Sequence, residues 1–158
     1  MKNLFILLFV SICNNLISQT KEQTSNWLIE KLNENSELND GLNNETICYI
    51  KDSNLIEKTY NKTFNTTTIF GIPIKSITKI TVFKDKNSFT FSLFCDRNCI
   101  NKQINSIVGE IEEDNKKDLS LDINNNDSTL YQRIPKALVH LIKIYGGNAK
   151  LIYYKEPF

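Results

Sequence analysis

The stretch SITKITVFKDKNSFTFSLFC, residues 76–95, constrains the fold more than any other. Phe89, Phe91, Leu93 and Cys95 occupy every second position, and Ile77, Ile80 and Val82 crowd the run before them. A period of two sends such residues to one face of a strand. The polar KDKNS between the runs supplies a turn, so the stretch predicts a β-hairpin whose charged tip discourages pairing with other chains. A hairpin with one apolar face cannot stand alone. It needs further strands beside it and something to cover that face.

The cover is legible near the end of the chain, in DSTLYQRIPKALVHLIKIYGG. Leu130, Ile134, Ala137, Leu138, Leu141, Ile142 and Tyr145 form an apolar stripe at helical spacing, with Lys136 and Lys143 opposite. Ser128 or Thr129 is the expected cap, and Gly146–Gly147 the stop. Pro135 interrupts the pattern. Inside a helix it costs about 3 kcal/mol, so the regular helix is expected to begin near Arg133 or Ile134.

A second, shorter helix is predicted in QTSNWLIEKLNENSE, capped by Thr24 or Ser25, with Trp27, Leu28, Lys31 and Leu32 on one face. LNDGLNNE then reads as a loop. TICYIKD, NLIEKTYN and TTTIFG are short β-rich runs, and GIPI interrupts a strand or begins an edge one. Further on, SIVGEIE and DLSLDI are weaker strand candidates, EEDNKKD a solvated turn, and KLIYYKEPF a short strand or ordered tail. The fold class expected is α+β: a single curved antiparallel β-sheet of four to six strands, a short N-terminal helix, and a C-terminal amphipathic helix packed on the sheet.

MKNLFILLFVSICNNLISQT has the basic start, apolar run and polar end of a secretory signal, so residues 1–19 are expected to be removed. The run is about half the roughly 20 residues of a membrane span. A lipoprotein signal wants a small residue before its cysteine; Ile12 precedes Cys13, so no lipid anchor is expected there. Residues 20–158 remain as a single β-rich domain, long enough to bury its own core. Loss of Lys2 takes the formal charge from +1 to about zero. Such a chain lacks the electrostatic footprint of a nucleic-acid binder. The sequons at Asn44, Asn61, Asn65 and Asn126 are read as a consequence of the abundance of Asn.

LFCDRNC, residues 93–99, is the stretch that most resembles chemistry. A thioredoxin-type redox site wants two residues between its cysteines, and here there are three. Cys48, Cys95, Cys99 and His140 make a zinc inventory, but thiols in an oxidising compartment tend to pair. A disulfide is therefore expected, either Cys95–Cys99 or a bridge from Cys48 to one of them, with one buried thiol left over. His140, the only histidine, is expected at the surface. Glu110, Glu112, Glu113 and Asp114 alternate with lysines as a solvated turn does, and LDINNNDS is a turn before it is a calcium loop. Tyr145, Tyr153, Tyr154 and Phe158 could border a pocket, core packing being the default. No catalytic, metal or cofactor-binding residue is assigned, and no cofactor is expected.

RIPKALVHLIKIYGG followed by KEPF resembles the C-terminus of a broad set of small exported bacterial proteins of unknown function. That resemblance carries no activity. PIKSITKITVFKDKNSFTFSLF is similar in cadence to pleckstrin-homology-like folds, which have a strand–hairpin–strand pattern and a closing helix. Lys58 and Lys62 alone do not make the basic cluster of the lipid-binding members, so only the fold is implied. The function expected is that of an exported, non-catalytic domain, secreted or periplasmic, that binds an unknown protein or small ligand. The alternatives are a small secreted hydrolase using carboxylates, or an inhibitor or immunity-type protein.

Overall fold

The computed structural model of the chain describes residues 21–37, 43–106 and 111–154. The expected signal with Cys13, part of SIVGEIE including Glu110, and the terminal KEPF with Phe158 lie outside the described residues. Helix α1 covers 21–35 and buries Leu28 and Leu32, one turn apart, with Trp27 packed against the same core. Its backbone is already helical at Lys21, so Thr24 and Ser25 lie inside it and cap nothing.

Strands β1 (Asn44–Lys51), β2 (Asn54–Asn61) and β3 (Thr66–Pro73) form a meander, and a 3-10 turn, Ile74–Ser76, leads on to β4 (Ile77–Lys84) and β5 (Ser88–Cys95). Then come β6 (Ile100–Ser106), β7 (Ile111–Lys116), β8 (Asp118–Asn124), helix α2 (Leu130–Ile144) and β9 (Lys150–Tyr154). The helix-plus-sheet class holds, with a correction. Hydrogen bonding divides the strands into two sheets, not one: β1-β2-β3-β6-β7 and β8-β5-β4-β9. The chain changes sheet after β3, β5 and β7. Pro73 offers no N–H to extend the β3 ladder, and the Cys95–Cys99 disulfide, with Cα atoms 6.1 Å apart, closes the turn between β5 and β6.

Among the described residues every strand pairing is antiparallel except β4 with β9. Both β8 and β9 run parallel to β4, so α2 is the crossover that joins them, and it lies across the four-stranded sheet. Leu130, Ile134, Leu138, Leu141 and Ile142 are buried there with Phe89, Phe91 and Leu93 of β5 and Leu119, Leu121 and Ile123 of β8 in one core. Ile77 and Ile80 are three apart and strict alternation would separate them. The pairing register shifts between Ile77 and Lys79, a bulge that brings both inside with Val82. Gly147, just past α2, is a forced glycine: a Cβ there would come within 2.6 Å of the Lys75 carbonyl oxygen.

Helix α2 starts earlier than expected. It is regular from Leu130, and Pro135 lies within it, buried. Thr129 is the N-cap residue but makes no side-chain cap bond. Asp127 orders the approach to the helix instead, its carboxylate accepting from both the backbone N–H and the hydroxyl of Thr129 at 2.8 Å. These bonds, the backbone one first, hold the Asp127 carboxyl below its ordinary range. Leu130 and Ile134 each gain about 1.5–3 kcal/mol from burial, enough to offset the cost of the proline.

Two further departures lie in the five-stranded sheet. INKQINS forms β6, which the sequence did not suggest, and EEDNK belongs to β7 where a solvated turn was expected. Glu113, Asp114 and Asn115 are exposed. This end of the sheet is solvated, so its strands carry no apolar period to read. The exposed side of β1 is met by α1: Asn33 donates to the Cys48 carbonyl at 3.0 Å and accepts from its N–H at 2.6 Å. One side-chain amide thus replaces a neighbouring strand.

Candidate binding groove

The parallel pairing of β4 and β9 sets Val82 beside Tyr153 and Phe83 beside Tyr154. Lys84, two residues past Val82, returns to the α2 side, where its Nζ lies 4.3 Å from the centre of the Tyr131 ring. Tyr131 and Tyr153 meet edge to face, 6.3 Å between centroids, and the Tyr153 hydroxyl donates to the Gln132 carbonyl at 3.4 Å. Gln132 in turn donates to the Tyr131 oxygen at 2.6 Å. Burial, then the neighbouring Tyr131, pushes the Tyr153 phenol above its ordinary pKa.

These side chains wall a groove of about 690 Å³ between the first turns of α2, the end of β9 and the β4–β5 turn. Asp85, Lys86, Lys136 and Tyr154 complete its lining. Tyr153 and Tyr154 remain 40% and 55% exposed, so for these two the default of core packing is corrected. A short aromatic strand looks like core until its position in a sheet is known. Here β9 is the outermost strand, and its tyrosines end beside a turn. Tyr145 instead stands under Lys21, 3.9 Å from ring centre to Nζ. Lys136 also borders a shallower depression lined by Trp27, Arg133 and His140. His140 is exposed, as expected of it.

A second cluster is enclosed. Glu57 on β2 is 4% exposed and lies directly across from Cys48 on β1. With Asp122 and Ser36 they line a cavity of about 10 Å³. Burial, and then the charge of Asp122, raise the Glu57 carboxyl from 4.5 to about 7, against a lowering bond from Thr59. Burial, and then Glu57, push the Cys48 thiol up to about 12. A thiol so held is no nucleophile. Alkylation followed by peptide mass analysis is expected to label Cys48 only in denaturant, and Cys95 and Cys99 only after reduction. Labelling of native Cys48 at the rate of a free thiol would contradict this placement.

Of the four residues in the zinc inventory, two share the disulfide, Cys48 is the buried free thiol and His140 is exposed. The described residues hold no group of three or more His, Cys, Asp and Glu side chains placed to bind a metal, and no helix among them is long and apolar enough to cross a membrane. In LDINNNDS, Asp122 accepts from the Thr90 hydroxyl and Asp127 from that of Thr129. The fold and groove define an α+β domain with a tyrosine- and lysine-lined surface site. Compared with known proteins, the chain matches no family model, and no curated protein or solved structure is significantly similar to it.

Proposed function

We propose that this chain is an exported, non-catalytic binding domain that engages a protein or small ligand through the groove between α2 and β9. The observation that carries the reading is the pair of exposed tyrosines, Tyr153 and Tyr154, on a strand held in place by β4 and α2. Tyrosines fixed this way offer contact area at little entropic cost, which suits recognition. The Cys95–Cys99 disulfide accords with an oxidising compartment, and so with the signal-like first residues. The pleckstrin-homology-like likeness is kept only as a suggestion of fold. Here a strand follows the closing helix and pairs in parallel with β4.

The hydrolase reading draws on Glu57 and Asp122, one carboxyl of raised pKa beside another, as acid–base pairs are arranged. Their cavity has room for about one water and none for a substrate, so this reading ranks second. The test is affinity capture with the wild type, a Tyr153→Ala/Tyr154→Ala variant, and a Phe64→Ala variant. Phe64 is 75% exposed in the β2–β3 turn, away from the groove. Loss of a captured partner in the tyrosine variant alone is expected. Equal capture by all three would refute the groove as the binding surface.

A further inference from the structure

We propose that the groove takes an acidic peptide segment of a partner protein, laid in extended form along the outer edge of β9. This rests on the binding-domain reading and gives its partner a chemistry.

Charge is the first argument. Lys84, Lys86 and Lys136 face one acidic residue in the lining, Asp85, and its carboxylate turns back to accept the Lys86 backbone N–H at 2.7 Å. None of the three lysines has an ion-pair partner among the described residues. LYQRIPKALVHLIKI, the whole of α2, contains no Asp or Glu, so the wall above the groove adds no negative charge. The chain as a whole is nearly neutral, with a formal charge of +1, so this is a local concentration of positive charge and not a general property. Such a site draws in carboxylates and repels basic segments.

Shape is the second. Strand β9 ends the order β8-β5-β4-β9, and among the described residues no strand pairs with its outer side. An edge of this kind offers main-chain donors and acceptors to an added strand, whose side chains then alternate between the two faces. Side chains on the α2 side would meet Tyr153 and the lysines; those on the other would pass Tyr154. A small anion would use the lysines and leave the edge idle. A peptide uses both.

Fluorescence anisotropy with a fluorescein-labelled peptide of alternating Glu and Val tests this. The comparison probes are its Lys–Val counterpart, the Glu–Val peptide N-methylated at alternate amides, a sulfated oligosaccharide and single-stranded DNA. The Glu–Val peptide is expected to bind, to weaken with added salt, and to lose about tenfold or more in affinity to a Lys86→Glu/Lys136→Glu variant. Both lysines are exposed, so the fold should tolerate the change, and circular dichroism checks that it does. N-methylation is expected to abolish binding. Failure of the Glu–Val peptide to bind, equal binding of the Lys–Val or N-methylated peptide, indifference to the charge reversal, or preference for the oligosaccharide or DNA would each overturn the proposal. If the tyrosine variant loses the captured partner while the charge-reversed one keeps it, the acidic-peptide inference falls and the binding-domain reading stands. If neither variant affects capture, both fall.

Discussion

Truncating Phe91 to alanine is expected to destabilise the domain by about 3–5 kcal/mol. Phe91 is completely buried at the middle of β5, an interior strand flanked by β4 and β8. Its register partners are Val82 and Leu121, both buried, and its ring lies 6.3 Å from that of Phe89. The space left by the ring would be bounded by three hydrogen-bonded strands, which can close it only in part. Domains have about 5–15 kcal/mol of stability in total, so this one change could remove much of it. Urea unfolding measures the loss. Phe83→Ala is the control, because Phe83 is 48% exposed on the neighbouring strand and should cost far less. Equal midpoints for the two variants would mean that the core is not where the strands place it.

Stability is expected to fall as pH rises from about 4.5 through 7, and Glu57 is the cause. Its carboxyl titrates near 7 when folded and near 4.5 in its ordinary state. The folded protein therefore holds this proton over a range where the unfolded chain has released it. The sign follows: below 4.5 both states are protonated and Glu57 exacts no penalty, while above 7 both are ionised and the folded state carries a buried charge. The difference is worth about 3 kcal/mol between those limits. Replacing Glu57 with Gln should flatten that part of the profile and leave the variant more stable than the wild type at pH 8. Denaturant unfolding of both proteins at pH 5 and pH 8 measures it. A wild type equally stable at the two values would show that Glu57 is not buried beside Asp122.

Much of the secondary structure was legible because burial leaves a period. Strand β5 alternates along its whole length, and the face of α1 through Leu28 and Leu32 and the stripe of α2 recur at helical spacing. The disulfide was legible too, as one of three pairings left open, since cysteines four apart in a turn are within bridging range. Strand β6 and most of β7 were not, because their residues are largely polar and at most half-buried beyond Ile100, so no apolar rhythm is imposed. The start of α2 was misplaced because a local penalty, Pro135, was outweighed by the burial of Leu130 and Ile134.

The candidate groove was legible only as a list of aromatics. Tyr153 and Tyr154 are read correctly once β9 is known to be an outer strand, and nothing in KLIYY says which strand it joins or in which direction. Glu57 is a similar case. In NLIEKTYN it reads as an ordinary charged residue; the packing of the whole chain buries it, and Asp122 from the other sheet then adds a second charge beside it.

By itself the amino-acid order determined the α+β class, the main strands, the two helices and the apolar face of each, since these depend on neighbours a few positions away. The division into two sheets, the parallel seat of β9 beside β4, and the meeting of Lys84 with Tyr131 were decided only in three dimensions. Each depends on residues tens of positions apart, which are brought together by the shared need to cover one core, and no local pattern records such a pairing.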